Sequence, residues 1–448
     1  MRPSYSLPRF APWLIINLWV RAIAAYTVFE PECTQLKEPA NFVSSPNSRG
    51  TLEILWSSLF TIFACTWTIQ HPNVPEQRDG RFPGWWGDLC WGLRHAVEAL
   101  KLAITTILVP EIVICIAWCD RAAARDVCSR LKQLAEEDNV PWTTTHGHYA
   151  VMGGFIIRIK KPVNDDPTYR APYHLTGRNL CYLREEGYIR LPHVTEEELA
   201  DKSKSDPFLK TVALGQILWS IVQIIERKVR GLSISLLELS VLAFAACALI
   251  VYVLYWKKPK NANTTIEVRE FNGDIPESVW PQLGGVWSPI WELFVSHMWA
   301  KRRVKRSKGK PLPTLTYVTK DGINDTCMDV WGTVLLLGGA MVFGAIHVAG
   351  WNFFFPTHTE LILWRCASVF TATVCIIWSV IAGIQKASVK LLILGRHLNG
   401  LANLVTPFLC GLYILARLVI VVETFRTLVY LPLDAFESTW TSSIPHFS

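Results

Sequence analysis

Three side chains in this strongly apolar sequence have the types that proton chemistry needs. Glu111, His347 and Arg417 each fall in a run apolar enough to be buried in lipid. A polar group there is costly unless it is paired or faces water, and is for that reason the default functional candidate. Glu111 follows Pro110, which removes a backbone donor and can kink a helix. Counted along a helix from Glu98, it lies roughly 20 Å in at 1.5 Å per residue, where its carboxyl could give or take a proton or serve as an Arg-paired packing residue. His347 has the side chain readiest to titrate near neutrality. Ala340 and Gly344 give its helix a small-xxx-small face for close approach, so His347 is expected at a helix interface, either as a reacting group or as a hydrogen-bonded structural one. Arg417 needs a partner from another helix, and Glu111 is the one to test.

Other polar groups have plainer readings. Gln216, Trp219, Gln223 and Arg227 form one helical stripe that could line a polar cavity or hydrogen-bond between helices. Ser235-Leu236-Leu237-Glu238 reads as a capping box, Glu53 sits in a first turn, and Glu423 and Arg426 are spaced to pair. His146-Gly147-His148 is too tight to make a site alone. There is no P-loop, no usable GxGxxG, no HExxH and no GxSxG. The cysteines show no CxxC pair and no Cys/His metal spacing; several, Cys119 among them, lie in apolar runs where they act as small hydrophobes. No cofactor and no metal is expected.

The elements that must position these groups are membrane helices. Half of the 448 residues are hydrophobic, only 18% are charged, and 20 are Trp, against about a quarter charged in soluble domains. Seven runs near the required twenty residues can be marked: Thr51 to Ile69, Glu98 to Cys119, Pro207 to Ile225, Leu236 to Trp256, Met328 to Trp351, Leu361 to Ile384 and Leu401 to Val422. Lipid cannot satisfy exposed backbone groups, so such runs are helices. The expected fold class is all-α: a polytopic helical membrane protein with about seven transmembrane helices and an N-terminal signal peptide.

Residues 1–25 carry the signal-peptide pattern, with Arg2 and Arg9 before the apolar stretch Ala11 to Val20 and Ala22-Ile23-Ala24 as cleavage site, or else form an additional span burdened by Arg21. Residues 26–119 hold a polar N-terminal segment and spans one and two, and 120–206 a polar loop or small subdomain opening a short helix at the capping box Thr195 to Glu198. Spans three and four occupy 207–256, a long interfacial and basic loop 257–327, and spans five to seven with the tail 328–448. The net charge of +7 equals the run Lys301, Arg302, Arg303, Lys305, Arg306, Lys308 and Lys310 alone. Beside membrane helices that run is a solvated loop or a contact with anionic lipid headgroups, and no nucleic-acid partner is implied. The loops 120–206, 257–327 and 384–402 hold 28 Lys and Arg against 7 in the others, which puts them in the cytoplasm; a cleaved signal peptide and the glycosylation sequon Asn263-Thr264-Thr265 argue the reverse. The orientation stays open between these signals.

Several stretches resemble an uncharacterised fungal family of multi-pass integral membrane proteins. They are Phe63 to Pro75 (FACTWTIQHPNVP), Met152-Gly153-Gly154-Phe155, Asp201 to Asp206, Trp256-Lys257-Lys258-Pro259, Gly344 to Phe355, Leu363-Trp364-Arg365 and the tail Thr439 to His446. The resemblance covers nearly the whole chain after residue 45 and departs at Ser233, where a proline is expected. It implies a signal-peptide-like start, a helical membrane body and, for some members, a link to secondary-metabolite gene clusters; the expected location is a membrane, crossed several times, of the endoplasmic reticulum and secretory pathway or the plasma membrane. The resulting expectation is a membrane protein supporting such a pathway, a cyclase- or isomerase-like enzyme holding an apolar intermediate near Glu111, His347 and Arg417. The alternative is a non-enzymatic transporter, channel or sensor. Membrane lipids and an apolar small molecule are the expected partners.

Overall fold

The computed structural model describes residues 49–78, 84–160, 170–203, 207–270, 330–388 and 394–439, with short pieces between 275 and 319. The stretch read as a signal peptide, the side chains of the basic run and residues 440–446 of the tail motif lie outside the described residues.

Each marked apolar run is helical over most of its described residues, because only a helix satisfies its own backbone polar groups without water. The helices are α1 (Thr51–Thr68), α2 (Trp85–Leu108), α3 (Pro110–Glu137), α7 (Pro207–Val229), α8 (Leu236–Leu254), α9 (Val330–Val348), α10 (His358–Ser388) and α11 (Leu394–Arg426), with α4 to α6 in the intervening polar region. Among the described residues, three stretches are long and apolar enough to cross a bilayer: Leu236–Leu254, His358–Ile381 and Val405–Tyr430. The run expected as the second span is not one straight helix. It breaks at Val109, whose φ of −143° and ψ of 63° are not helical, and the chain bends by 113° between α2 and α3. Pro110 is the cause: it has no N–H for the ladder and pushes the preceding residue out of the helical region. Counted together, the bent pair makes a fourth candidate span.

α8 is apolar all round, with a mean hydropathy of 2.4, and such a helix belongs in the middle of a bundle. Its Ala243, Cys247 and Val251 pack with Ile114 of α3 and Phe343 of α9. Its Leu236 and Leu239 pack with Trp364 of α10 and Ile420 of α11. α9 and α10 approach closely where Gly344 lies on Ala372; a Cβ added to that glycine would come within 2.5 Å of the Ala372 backbone. The Ser235 box caps α8 as the sequence suggests, the Ser235 hydroxyl accepting from the Glu238 N–H at 3.2 Å and the Ser235 N–H donating to Glu238 at 2.9 Å.

The polar region corrects the all-α expectation. α4 (Thr144–Val151), β1 (Phe155–Lys160), β2 (Arg170–His174), α5 (Gly177–Glu185), α6 (Glu196–Lys202) and β3 (Ile266–Glu267) fold onto the far half of α3, with sheet order β2-β1-β3. The reason is compositional: Phe155-Ile156-Ile157-Arg158-Ile159 is a branched, apolar run bounded by Gly153-Gly154, which favours a pleated, half-buried strand. A second small sheet joins β4 (Val286–Pro289), β5 (Lys305–Arg306) and β6 (Thr316–Thr319) in the order β5-β4-β6. The expectation that 257–327 is only an interfacial loop is also revised. Val268, Ile275, Val279 and Leu283 enter one core with Leu131, Tyr149, Phe155, Leu180 and Leu183. Cys119, expected as a small hydrophobe, is disulfide-bonded, whereas Cys65, Cys247 and Cys375 are buried thiols.

Candidate functional site: a closed ion pair and an open junction cleft

The structure brings Glu111 and Arg417 together. Because the helix restarts at Pro110, Glu111 stands in the first turn of α3, where a carboxylate is favoured by the helix dipole. It is also buried in the bundle, at 1% exposure. The Arg417 guanidinium grips both carboxylate oxygens, at 2.9 and 2.7 Å, and its Nε donates to the Tyr413 hydroxyl at 2.8 Å. Tyr413 in turn donates to Glu111. The guanidinium lies 3.8 Å over the Phe343 ring, and the far neighbour of that ring is His347, stacked at 4.6 Å.

His347 is thus separated from the pair by an aromatic ring. It faces the Phe343 carbonyl at 2.8 Å through Nδ1 and the Ser240 hydroxyl at 3.4 Å through Nε2. Its own carbonyl accepts from the Trp364 indole. Buried, with one Arg417 nitrogen shared between both carboxylate oxygens and Tyr413 bridging the two residues, the Glu111–Arg417 pair is satisfied from within the protein, an arrangement that ties helices together. Neither Glu111, His347 nor Arg417 lines either of the two cavities described next.

A second constellation lies where the bundle meets the polar subdomain, on residues that chemistry-based reading of the sequence passed over. Asp120, directly after the apolar part of α3, accepts from Lys258 at 2.6 Å and from the Tyr255 hydroxyl at 2.8 Å. The His71 ring packs 4.7 Å from Tyr255. Lys260 donates to the Thr68 carbonyl at 3.0 Å, capping the C-terminal end of α1 as a cation suits. Burial, with Lys210 nearby, pushes the Lys260 ammonium down to about 8. Burial, aided by Lys258 and Lys260, holds His71 well below the ordinary histidine range, so its ring is neutral.

Two cavities open on this junction. A chamber of about 20 Å³ is lined by Gln70, His71, Asn73, Asp120, Tyr255 and Lys258, room for about one water. A cleft of about 710 Å³ runs between the chain Gln70 to Arg78 and the polar side of α2, with Trp67, Trp91, Glu98, Ala99 and Lys260 in its walls. That is the size of small-molecule sites. Ion pairs from Arg94 to Glu76, at 3.3 Å, and from Arg78 to Asp88 fasten α2 across it. The opposite face of α2 carries exposed Trp86, Leu89, Leu93, Val97, Leu100 and Ile104, a continuous apolar stripe suited to lipid. Among the described residues, no group of three or more His, Cys, Asp or Glu could hold a metal ion.

The remaining sequence candidates are structural. Gln216 donates to Thr61 of α1 at 3.1 Å, an interhelical bond. Arg227 is buried and donates to the carbonyls of Ser233, Asp434, Ala435 and Glu437, holding the chain after α11. Arg426 pairs with Glu360 at 2.5 Å and not with Glu423. Glu238 also pairs with Arg49 at 2.5 Å. His146 bridges Thr143 and the Val194 carbonyl. The signal that could have found the junction was present: polar Gln70, His71 and Asn73 directly after one apolar run, and Asp120 and Lys258 at the ends of two others, place charges at one boundary of the bundle.

Among the described residues, three apolar helices, or four spans counting the bent pair, are long enough to cross a bilayer, and with a small mixed subdomain they make a mostly helical protein suited to a membrane. Over residues 22–278 and 310–447 the chain matches DUF8562, a family of unknown function, and belongs to it. No curated protein and no solved structure matches it.

Proposed function

We propose that this chain is a multi-pass membrane protein, with the seven apolar helices as spans, that binds an amphipathic small molecule in the junction cleft and serves a fungal secondary-metabolite pathway by holding or presenting it. The pathway assignment rests on the family resemblance. The binding assignment rests on one observation: a cleft of about 710 Å³ at the boundary of the bundle, flanked by Trp67 and Trp91, whose inner wall carries the buried Gln70 amide nitrogen without a partner. Indole rings suit a ligand with one apolar and one polar end. An unpaired buried donor is expensive, and a bound acceptor would relieve it.

This reading moves the site away from Glu111, whose carboxylate is occupied by Arg417 and Tyr413 and so is a poor proton donor or acceptor for a substrate. It favours binding over the cyclase or isomerase chemistry that the sequence suggested. The test is direct. Full-length protein purified from its native membrane in mild detergent is extracted and the bound small molecules identified by mass spectrometry, beside Ala99→Trp, which fills the cleft. A molecule present with the wild type and lost from Ala99→Trp supports the assignment; identical extracts from both refute it.

A further inference from the structure

In the chamber at the inner end of the cleft, hydrogen bonding is satisfied for some groups and not for others. Lys258 and Tyr255 both donate to Asp120. Two polar atoms stay orphaned, the Gln70 amide nitrogen and the His71 Nε2, both in residues only 7% exposed. Gln70 Nε2 can only donate. The state of His71 Nε2 follows from its other nitrogen. Nδ1 lies 2.9 Å from the Ile69 carbonyl, which can only accept, so Nδ1 carries the proton. The ring is neutral, and Nε2 is left as a bare acceptor.

Gln70 and His71 both line the chamber, so its walls hold one unsatisfied donor and one unsatisfied acceptor beside room for about one oxygen atom. Both needs are met by a single group that accepts one hydrogen bond and donates another. Chamber and cleft share Gln70, Asn73 and Leu102 as walls, so a ligand body in the cleft could place such a group there. The geometry points to a hydroxyl-reading subsite: we propose that Gln70 and His71 hold the hydroxyl of an apolar alcohol, donating to its oxygen and accepting its proton respectively, while the apolar body lies along the cleft. This rests on the reading of the cleft as a binding site and names the ligand class. A lone water has the same hydrogen-bonding chemistry, and the experiment separates the two.

Full-length protein in amphipol is tested by scintillation-proximity binding of tritiated 1-decanol, competed by unlabelled 1-decanol, decyl methyl ether and decane. The ether keeps the acceptor and loses the donor; decane loses both. The alcohol is expected to compete roughly tenfold better than the ether, the value of about one buried hydrogen bond, with decane weaker again. His71→Phe should weaken 1-decanol roughly tenfold while leaving the ether unchanged, whereas Gln70→Met should weaken the alcohol and the ether alike, roughly tenfold each, and leave decane unchanged. The wild-type series needs no variant to fold, and unfolding temperatures near wild type qualify the variants. If the ether competes as well as the alcohol, the chamber holds water only and the subsite is refuted while the cleft stands. If no displaceable decanol binds at all, the cleft reading falls and the subsite with it.

Discussion

Removing one member of a buried ion pair strands the other, and this governs what substitutions at Glu111 and Arg417 will do. Glu111→Gln leaves the Arg417 guanidinium uncompensated among Phe343, Tyr413 and the α3 backbone, at an expected cost of about 3–5 kcal/mol. The double substitution Glu111→Gln with Arg417→Met removes the stranded charge and should recover most of that loss. Thermal unfolding in detergent measures both, and a double variant no more stable than the single one would argue against a structural pair. The sequence brought Glu111, His347 and Arg417 to attention and suggested Glu111 and Arg417 as partners, which the 2.7 Å contact realises. It could not show that Tyr413 and Phe343 close the pair off, because those contacts depend on how α3, α9 and α11 turn against one another.

At the scale of elements, the α9–α10 contact is the least forgiving. Gly344→Ala sets a methyl group within 2.5 Å of the Ala372 backbone, and parting two packed helices typically costs about 1–3 kcal/mol. The expected result is a lower unfolding temperature, while Gly338→Ala on the same helix, where an added Cβ meets nothing within 4 Å, should be neutral or better. The subdomain is governed by its buried histidines. Burial, reinforced by Lys258 and Arg121, pushes His148 down to about 3. Its folded pKa lies below the unfolded one, so the unfolded chain takes up the extra proton and stability falls as pH drops below about 6.5, by roughly 1.4 kcal/mol per pH unit for this group. His71 adds a loss of the same sign. Unfolding followed between about pH 7 and 5 should show that fall, reduced but not abolished in His148→Phe; a flat profile in the wild type would contradict it. Helix positions were legible in the sequence because twenty apolar residues in lipid have one solution. The Val109 break was only half legible: Pro110 announced a kink, but its size is set by what α2 and α3 pack against. The mixed sheet was missed because β1 pairs with β3 over a hundred residues away, and no local pattern carries such a pairing.

Over the whole molecule, stretches far apart in sequence meet at one place. The Val74 N–H donates to the Met152 carbonyl, Ser203 and Lys260 exchange hydrogen bonds, and Lys258 reaches Asp120. Residues from the Phe63–Pro75, Met152–Phe155, Asp201–Asp206 and Trp256–Pro259 stretches therefore build the junction beside the cleft. No single one of those stretches carries a catalytic or binding pattern; their chemistry exists only once the fold assembles them. On the proposed function the junction cleft, and not the buried ion pair, is the seat of binding. Metabolite extracts decide between them most directly, compared across cells carrying the wild type, a deletion, Ala99→Trp, and the charge-free pair Glu111→Gln with Arg417→Met at matched protein levels. The account predicts that the cleft-filled variant reproduces the deletion profile while the charge-free pair resembles the wild type. A charge-free pair with the deletion profile beside a cleft-filled variant with the wild-type one would contradict it.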